Sequence, residues 1–415
     1  MDSKFKLYIL KRLFFTYISI SIPANLFIKN IYLSKLAPSS ISYGDFTTYL
    51  DRTFANDWLP NYGFTLFIRF FGLDNINQIK SMILAKSVTT IGVMMIIISI
   101  LNVLYYTNYS QTKVKEILYL FTILIAINPY FSIAGLKLTT ESFIYLGVGL
   151  IYLISTKIIF LNKRLLIKNK NFLKRISNIE INKNLIIIIS FLLVCSVRNI
   201  LLITIFSLIF LYLKKNNIKE LFDLKKIFQI ASKLNWLNIL FLFLASIIFL
   251  FDLYLFIGYI KPYLYSRGNI FESEINSGFF SNIRNLLLKL PIKFIHILGI
   301  RESATIHSNY FLSVNPYKGN IVSNNIFLTN ILPVIFYIPF NTLGLLFIGK
   351  SRIFRFMFWI VLPCILASLL GATHMRYLYP LVPAITLGWS LFLVNKDIKW
   401  LKQIYKLKIP RKLST

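Results

Sequence analysis

A carboxylate and a phenol four residues apart, Asp45 and Tyr49, form the strongest local cluster of chemically active side chains in this chain. In a helix, residues at i and i+4 share a face, so both groups would point to the same place. A carboxylate in that setting can act as a general base toward an acceptor hydroxyl. Asp is also a favoured helix N-cap, and a capping role for Asp45 is the competing interpretation.

Two further charges adjoin long apolar runs. Arg198 lies inside the run 185–213; an Arg within a membrane is costly, and its planar guanidinium suits a phosphate. The alternative is that Arg198 pairs with an acid such as Glu141 or reaches interfacial water. Glu141 begins an apolar run after the turn that contains Pro129. It is either a site acid or a helix N-terminal acid favoured by the helix dipole.

Three more candidates, His374, Arg376 and Tyr377, lie near the C-terminus. His374 and Arg376 can together hold an anionic oxygen, whereas interfacial anchoring by the Arg and Tyr side chains is the alternative. The chain has no His-x-x-x-His pair or acid cluster at ligand spacing, so no metal site is identified, and a divalent cation is left open. Cys195 and Cys364 lie in apolar runs and indicate neither a disulfide nor a thiolate metal site.

The candidate side chains lie in or beside long apolar runs of the sequence, which are predicted to form the helices that position them. A mean hydropathy of +0.67 and 56% hydrophobic residues predict an all-α integral membrane protein. The formal net charge of +31 is spread over short segments between the apolar runs. That distribution disfavours nucleic-acid binding and favours attraction to anionic lipid of the inner leaflet.

The distribution of Lys and Arg orients the runs. Most of the 46 basic residues fall in six short segments, which the positive-inside rule assigns to the cytoplasm together with both termini. As one helix, 185–213 would reach about 43 Å, too long for a single crossing, so we predict a hairpin broken near Arg198.

The result is a single polytopic domain, 1–395, of about ten transmembrane helices in the cell (inner or plasma) membrane, with a basic cytoplasmic tail at 396–415. Outer loops are predicted at 29–81 and 258–326. Within them, 46–73 and 279–300 are predicted to form amphipathic helices on the outer face, with ordinary packing against the bundle as the alternative.

The motifs resemble those of the polytopic GT-C glycosyltransferases, a group that includes the protein O-mannosyltransferases and the bacterial aminoarabinose transferases. Family members carry an acid often followed by Tyr in the first outer loop, an outer-facing Glu after a Pro-containing turn, an Arg in a mid-chain hairpin, and a near-terminal Arg-Tyr-x-x-Pro-x-x-Pro. The matching residues are Asp45 and Tyr49, Pro129 and Glu141, Arg198, and Arg376, Tyr377, Pro380 and Pro383. The chain departs from the pattern at Gly44, where many members have a second acid, and at His374-Met375, where Glu often precedes Arg-Tyr.

The resemblance implies transfer of a sugar from a polyprenyl-phosphate donor to a lipid, glycan or protein acceptor on the outer face. Arg198, Arg376 and His374 would then stabilise the phosphate leaving group, and Asp45 would deprotonate or orient the acceptor hydroxyl. Tyr49, Glu141 and Tyr377 would line the same site. Two alternatives are an O-antigen or exopolysaccharide polymerase and a non-enzymatic lipid-linked glycan flippase or transporter. A transporter would require ionisable groups along a midplane path, and the spans carry few beyond Lys86, Arg198 and Asp252.

Overall fold

The computed structural model describes about half of the chain, in segments separated by gaps. The described residues are 3–28, 62–73, 78–107, 109–128, 138, 142–160, 186–197, 199–202, 204–205, 208, 236–266, 332–351, 353–370 and 381–395. Within these ranges the chain is almost entirely helical and contains no strand. The all-α prediction is therefore confirmed for the described part of the chain.

The described helices are numbered here in chain order. They are α1 (Ser3–Ile28), α2 (Tyr62–Phe70), α3 (Gln78–Tyr106), α4 (Gln111–Ile127), α5 (Ser142–Phe160), α6 (Ile186–Val197), α7 (Trp236–Ser266), α8 (Leu332–Lys350), α9 (Arg355–Leu370) and α10 (Leu381–Asn395). A 3-10 turn at Asn199–Leu202 follows α6.

Two of these helices have the length and apolar composition needed to cross a membrane, over Phe5–Leu26 of α1 and Ile79–Tyr105 of α3. Shorter apolar stretches lie in α5, α6, α7 and α10. Several buried hydroxyls in the helices are satisfied locally. Thr122 donates to the Leu118 carbonyl at 2.7 Å, and Ser390 donates to the Thr386 carbonyl at 2.8 Å. Such back-bonding lets a polar side chain lie in apolar surroundings without an unpaired donor.

Contacts among the N-terminal helices α1, α3, α4 and α5 show which of them are parallel and which are antiparallel. The Lys6 ammonium lies 4.2 Å from the Tyr105 ring centroid, and the Lys115 ammonium lies 5.2 Å from the Phe5 ring centroid. The start of α1, the end of α3 and the start of α4 therefore share one end of the bundle. Helix α5 runs parallel to α3, in close contact with it, because a Cβ at Gly92 would overlap the backbone of Tyr145.

The C-terminal helices form a similar packed set. Helices α8 and α10 are parallel and so close that a Cβ on Gly388 would overlap the Gly344 carbonyl oxygen. The rings of Phe347 and Phe392 stack with centroids 4.0 Å apart, and the Trp389 indole donates to the Phe340 carbonyl at 2.8 Å. Helix α10 also packs on α4 and so joins the two sets.

Helices α1 and α4 run in one direction and α3 and α5 in the other, as successive crossings of a membrane would. Which end faces the cytoplasm, and the count of ten crossings, remain predictions. Helix α1 begins at Ser3, so the basic residues Lys4 to Arg12 are helical rather than in a preceding loop. The described part of α6 runs to Val197, and the 3-10 turn at Asn199–Leu202 lies close to the break that the sequence predicted. The hairpin itself remains a prediction, because most of its second arm lies outside the described residues.

Candidate functional site

The candidate site residues identified from the sequence all fall in the gaps between described segments. Outside the described residues lie Asp45, Tyr49, Glu141, Arg198, His374, Arg376 and Tyr377. The second predicted surface helix, 279–300, also lies outside them. The described helices instead show how the segments next to Glu141 and Arg198 pack. They also contain two places where polar side chains are buried between helices.

The first place, the α2–α6 corner, consists of Tyr62, Ser196 and Asp252. The phenol of Tyr62 lies beside the Asp252 carboxylate and the Ser196 hydroxyl. Asp252 is completely buried and Ser196 nearly so, whereas Tyr62 is half-buried. The Ser196 hydroxyl itself donates to the Leu193 carbonyl at 2.6 Å. Three separate segments of the chain thus place a carboxylate, a phenol and a hydroxyl together.

Close packing fixes the start of α2 in this corner. A Cβ on Gly63 would overlap the side chain of Ser196 and come within 2.7 Å of its carbonyl carbon, so only glycine fits here. On the next turn, the Phe67 and Phe143 rings meet edge to face at 5.2 Å. The Tyr62 ring meets Phe251 of α7 in the same way at 4.9 Å. Helix α2 is thereby held against α5, α6 and α7 at once.

Helix α2 also presents an apolar outer face. Its buried residues include Phe64 and Ile68, whereas Leu66 is 50% exposed and Phe70 is 84% exposed. Arg69 lies between these faces near the end of the helix. Within the predicted segment 46–73, this described portion therefore packs against the bundle on one side while keeping apolar side chains on the other.

The electrostatics of the corner favour a protonated phenol. Burial raises the pKa of Tyr62, and the negative charge of Asp252 raises it further. A neutral phenol can still donate a hydrogen bond. Asp252 is fully buried, and neither of its carboxylate oxygens has a hydrogen-bond partner among the residues that the structure describes, so its interaction with Tyr62 is electrostatic.

The corner adjoins two of the residues identified from the sequence. Ser142 and Phe143 follow Glu141 directly, and Phe143 contacts α2. Ser196 precedes Arg198 by two positions, and Leu201, three positions after Arg198, packs where a Cβ on Gly147 of α5 would lie. The residues flanking Glu141 and Arg198 are thus neighbours in space, together with a helix of the first predicted outer loop.

The second place is a cavity of about 380 Å³ between α1 and α3, called here the α1–α3 groove. Most of its lining is aliphatic or aromatic. The polar lining residues are Asn25, Lys86, Ser87 and Thr90. The Lys86 ammonium lies 4.8 Å from the centroid of the buried Tyr17 ring, a cation–π distance.

Sequence reasoning did not identify the α2–α6 corner, although one signal was present. Asp252 is an isolated acid in the apolar run 236–257. An acid in such a run is expected to lie beside another polar group, and the Tyr62 phenol that lies beside it is almost two hundred positions earlier. Nothing in the local spacing of Tyr62 or Ser196 marks either residue as that partner.

Comparison with known proteins adds no family assignment. No family model, curated protein or solved structure matches this chain.

Proposed function

We propose that this chain is a polytopic membrane glycosyltransferase. It moves a sugar from a polyprenyl-phosphate donor to a lipid, glycan or protein acceptor on the outer face. The observation that carries the proposal is the α2–α6 corner. There a helix of the first predicted outer loop meets the segments that flank Glu141 and Arg198. A transferase of this kind needs an acceptor-activating loop and phosphate-binding groups at one place.

The surface of the described helices supports a membrane location. Large apolar side chains are exposed along α7, including Phe243 at 62% and Leu250 at 62%, and along α1, including Phe15 at 66%. Exposed apolar surface of this extent is unfavourable in water and favourable in lipid. Together with the basic segments between apolar runs, it supports a multi-pass protein of the cell membrane with both termini in the cytoplasm.

The proposed reaction breaks the bond between the sugar anomeric carbon and the phosphate oxygen of the donor. Arg198, Arg376 and His374 stabilise the negative charge that develops on the phosphate. Asp45 takes the proton from the acceptor hydroxyl, whose oxygen forms the new bond to the anomeric carbon. Tyr49, Glu141 and Tyr377 bind the sugar and acceptor, and Tyr62 holds the first outer loop near Arg198.

Lipid analysis of a deletion strain tests this function. Loss of the gene is expected to cause accumulation of one polyprenyl-phosphate sugar, and the wild-type gene is expected to remove it. Asp45→Asn should fail to remove it at normal protein level. The control Asp397→Asn, in the predicted cytoplasmic tail, should restore the wild-type lipid pattern. An unchanged lipid pattern in the deletion strain would refute the proposal.

A further inference from the structure

The α1–α3 groove is mostly apolar and contains a few polar groups. Helices α1 and α3 are antiparallel, so Asn25 near the end of α1 lies toward the start of α3. Lys86 lies midway along the α3 lining, and Thr90 lies one turn further along the same face of α3. Lys86 and Thr90 therefore form a polar centre in the groove, and the lining of α1 from Ile18 to Phe14 is apolar.

Two polar atoms of the groove are buried without a partner. Asn25 is 4% exposed and Thr90 is 5% exposed. Neither Asn25 Oδ1 nor Thr90 Oγ1 has a hydrogen-bond partner among the residues that the structure describes. An unsatisfied buried polar atom is unfavourable, which makes a bound polar group the natural explanation.

The Lys86 side chain also lines the groove and is partly buried. Its ammonium lies over the ring of Tyr17, which is 0% exposed. In the described part of the chain no acidic side chain is recorded in an ion pair with Lys86. The ring offsets only part of the loss of hydration, so an anionic group of a ligand fits beside this ammonium.

We propose that the α1–α3 groove binds one bilayer glycerophospholipid whose headgroup carries a single phosphate and free hydroxyls, as in phosphatidylglycerol. The phosphate pairs with Lys86, and a headgroup hydroxyl bonds with Thr90 Oγ1, one turn away on the same face of α3. An acyl chain follows the apolar lining of α1 toward Phe14. The inference rests on the membrane location proposed above but not on the transferase chemistry.

The dimensions favour an ordinary phospholipid over the polyprenyl donor. The lining on α1 extends from Phe14 to Leu26, roughly 18 Å at 1.5 Å per residue, which is close to one leaflet of a hydrocarbon core about 30 Å thick. An acyl chain is of that length, whereas a polyprenyl chain is much longer. The side chains of Ile83 and Ile91 are exposed beside the groove, which therefore opens toward the lipid.

Native mass spectrometry of the full chain in detergent tests the proposal. The probes are phosphatidylglycerol and phosphatidylcholine with identical acyl chains, a polyprenyl phosphate, and glycerol phosphate alone. We expect one retained phosphatidylglycerol, preferred over phosphatidylcholine by about tenfold, the scale of one charge-assisted hydrogen bond. Lys86→Met should reduce the preference to about one, whereas Lys86→Arg should keep it because the charge remains.

The matched control is Lys80→Met, which removes the same charge from an exposed position of α3 outside the groove lining. It should leave the preference unchanged. Ile22→Trp, which fills the groove while Lys86 stays intact, should reduce retention of phosphatidylglycerol and keeps the proposal testable if Lys86→Met does not fold. An unaltered preference in Lys86→Met, unaltered retention in Ile22→Trp, binding of glycerol phosphate alone, or displacement by the polyprenyl phosphate would overturn the proposal.

Discussion

The interaction between Tyr62 and Asp252 links the first predicted outer loop to α7, and a double-mutant cycle measures it. Tyr62→Phe removes the phenol hydroxyl, and Asp252→Asn removes the charge while keeping the shape. The phenol and the carboxylate interact electrostatically, without a hydrogen bond to either carboxylate oxygen, and solvent screens part of the effect because Tyr62 is half-buried. We therefore expect a coupling free energy of about 1 kcal/mol between the two substitutions.

Equilibrium unfolding of the purified protein in mixed micelles, followed by tryptophan fluorescence, gives the free energies of unfolding for the cycle. The control cycle combines Asp252→Asn with Tyr254→Phe. Tyr254 lies on the same helix as Asp252 but is 74% exposed, so those two substitutions should be additive. If the Tyr62 cycle were equally additive, the corner would not hold α2 through Asp252, and the reasoning would be refuted.

Two further predictions follow from packing and from ionisation. Gly388→Leu should lower the free energy of unfolding by about 1–3 kcal/mol, because its side chain would meet the backbone of α8, whereas Gly349→Leu, with open space beside it, should change little in the same unfolding assay. The raised pKa of Tyr62 contributes stability that is present below the unfolded-state value of about 10 and is lost as pH rises above it. Raising the pH from 8 to 11 should therefore destabilise the wild type more than Tyr62→Phe, and an equal loss in both proteins would contradict this assignment.

The helices of the described regions were largely predictable from the sequence. Apolar runs located α3 and α7, and the charge distribution predicted relative directions that the packing of α1, α3, α4 and α5 matches. A break near Arg198 is predicted because one straight helix through 185–213 would exceed the membrane thickness, and a 3-10 turn is present at Asn199–Leu202. Helix starts were less predictable, since α1 extends back to Ser3 through basic residues that are themselves good helix formers.

The packed polar sites were not predictable in the same way. Periodicity shows which face of a helix is apolar, but it does not show which distant segment covers that face. Asp252 and Lys86 stood out as charges in apolar runs, whereas Tyr62, Tyr17 and Asn25 gained their significance only through tertiary contacts. Such long-range partners leave no local pattern in the chain.

Sugar transfer by the purified chain in proteoliposomes tests the central claim most directly. The assay supplies a polyprenyl-phosphate sugar with a radiolabelled sugar and membrane-extract acceptors, and it measures label lost from the donor. We predict transfer by the wild type, loss of at least about a hundredfold in Arg198→Gln from removal of phosphate stabilisation, and near-normal transfer by Arg355→Gln. Arg355 is exposed at the α8–α9 turn, where it donates to the Gly349 carbonyl at 2.9 Å. Equal transfer by Arg198→Gln and the wild type, or no transfer by the wild type with any polyprenyl-phosphate sugar, would contradict the account.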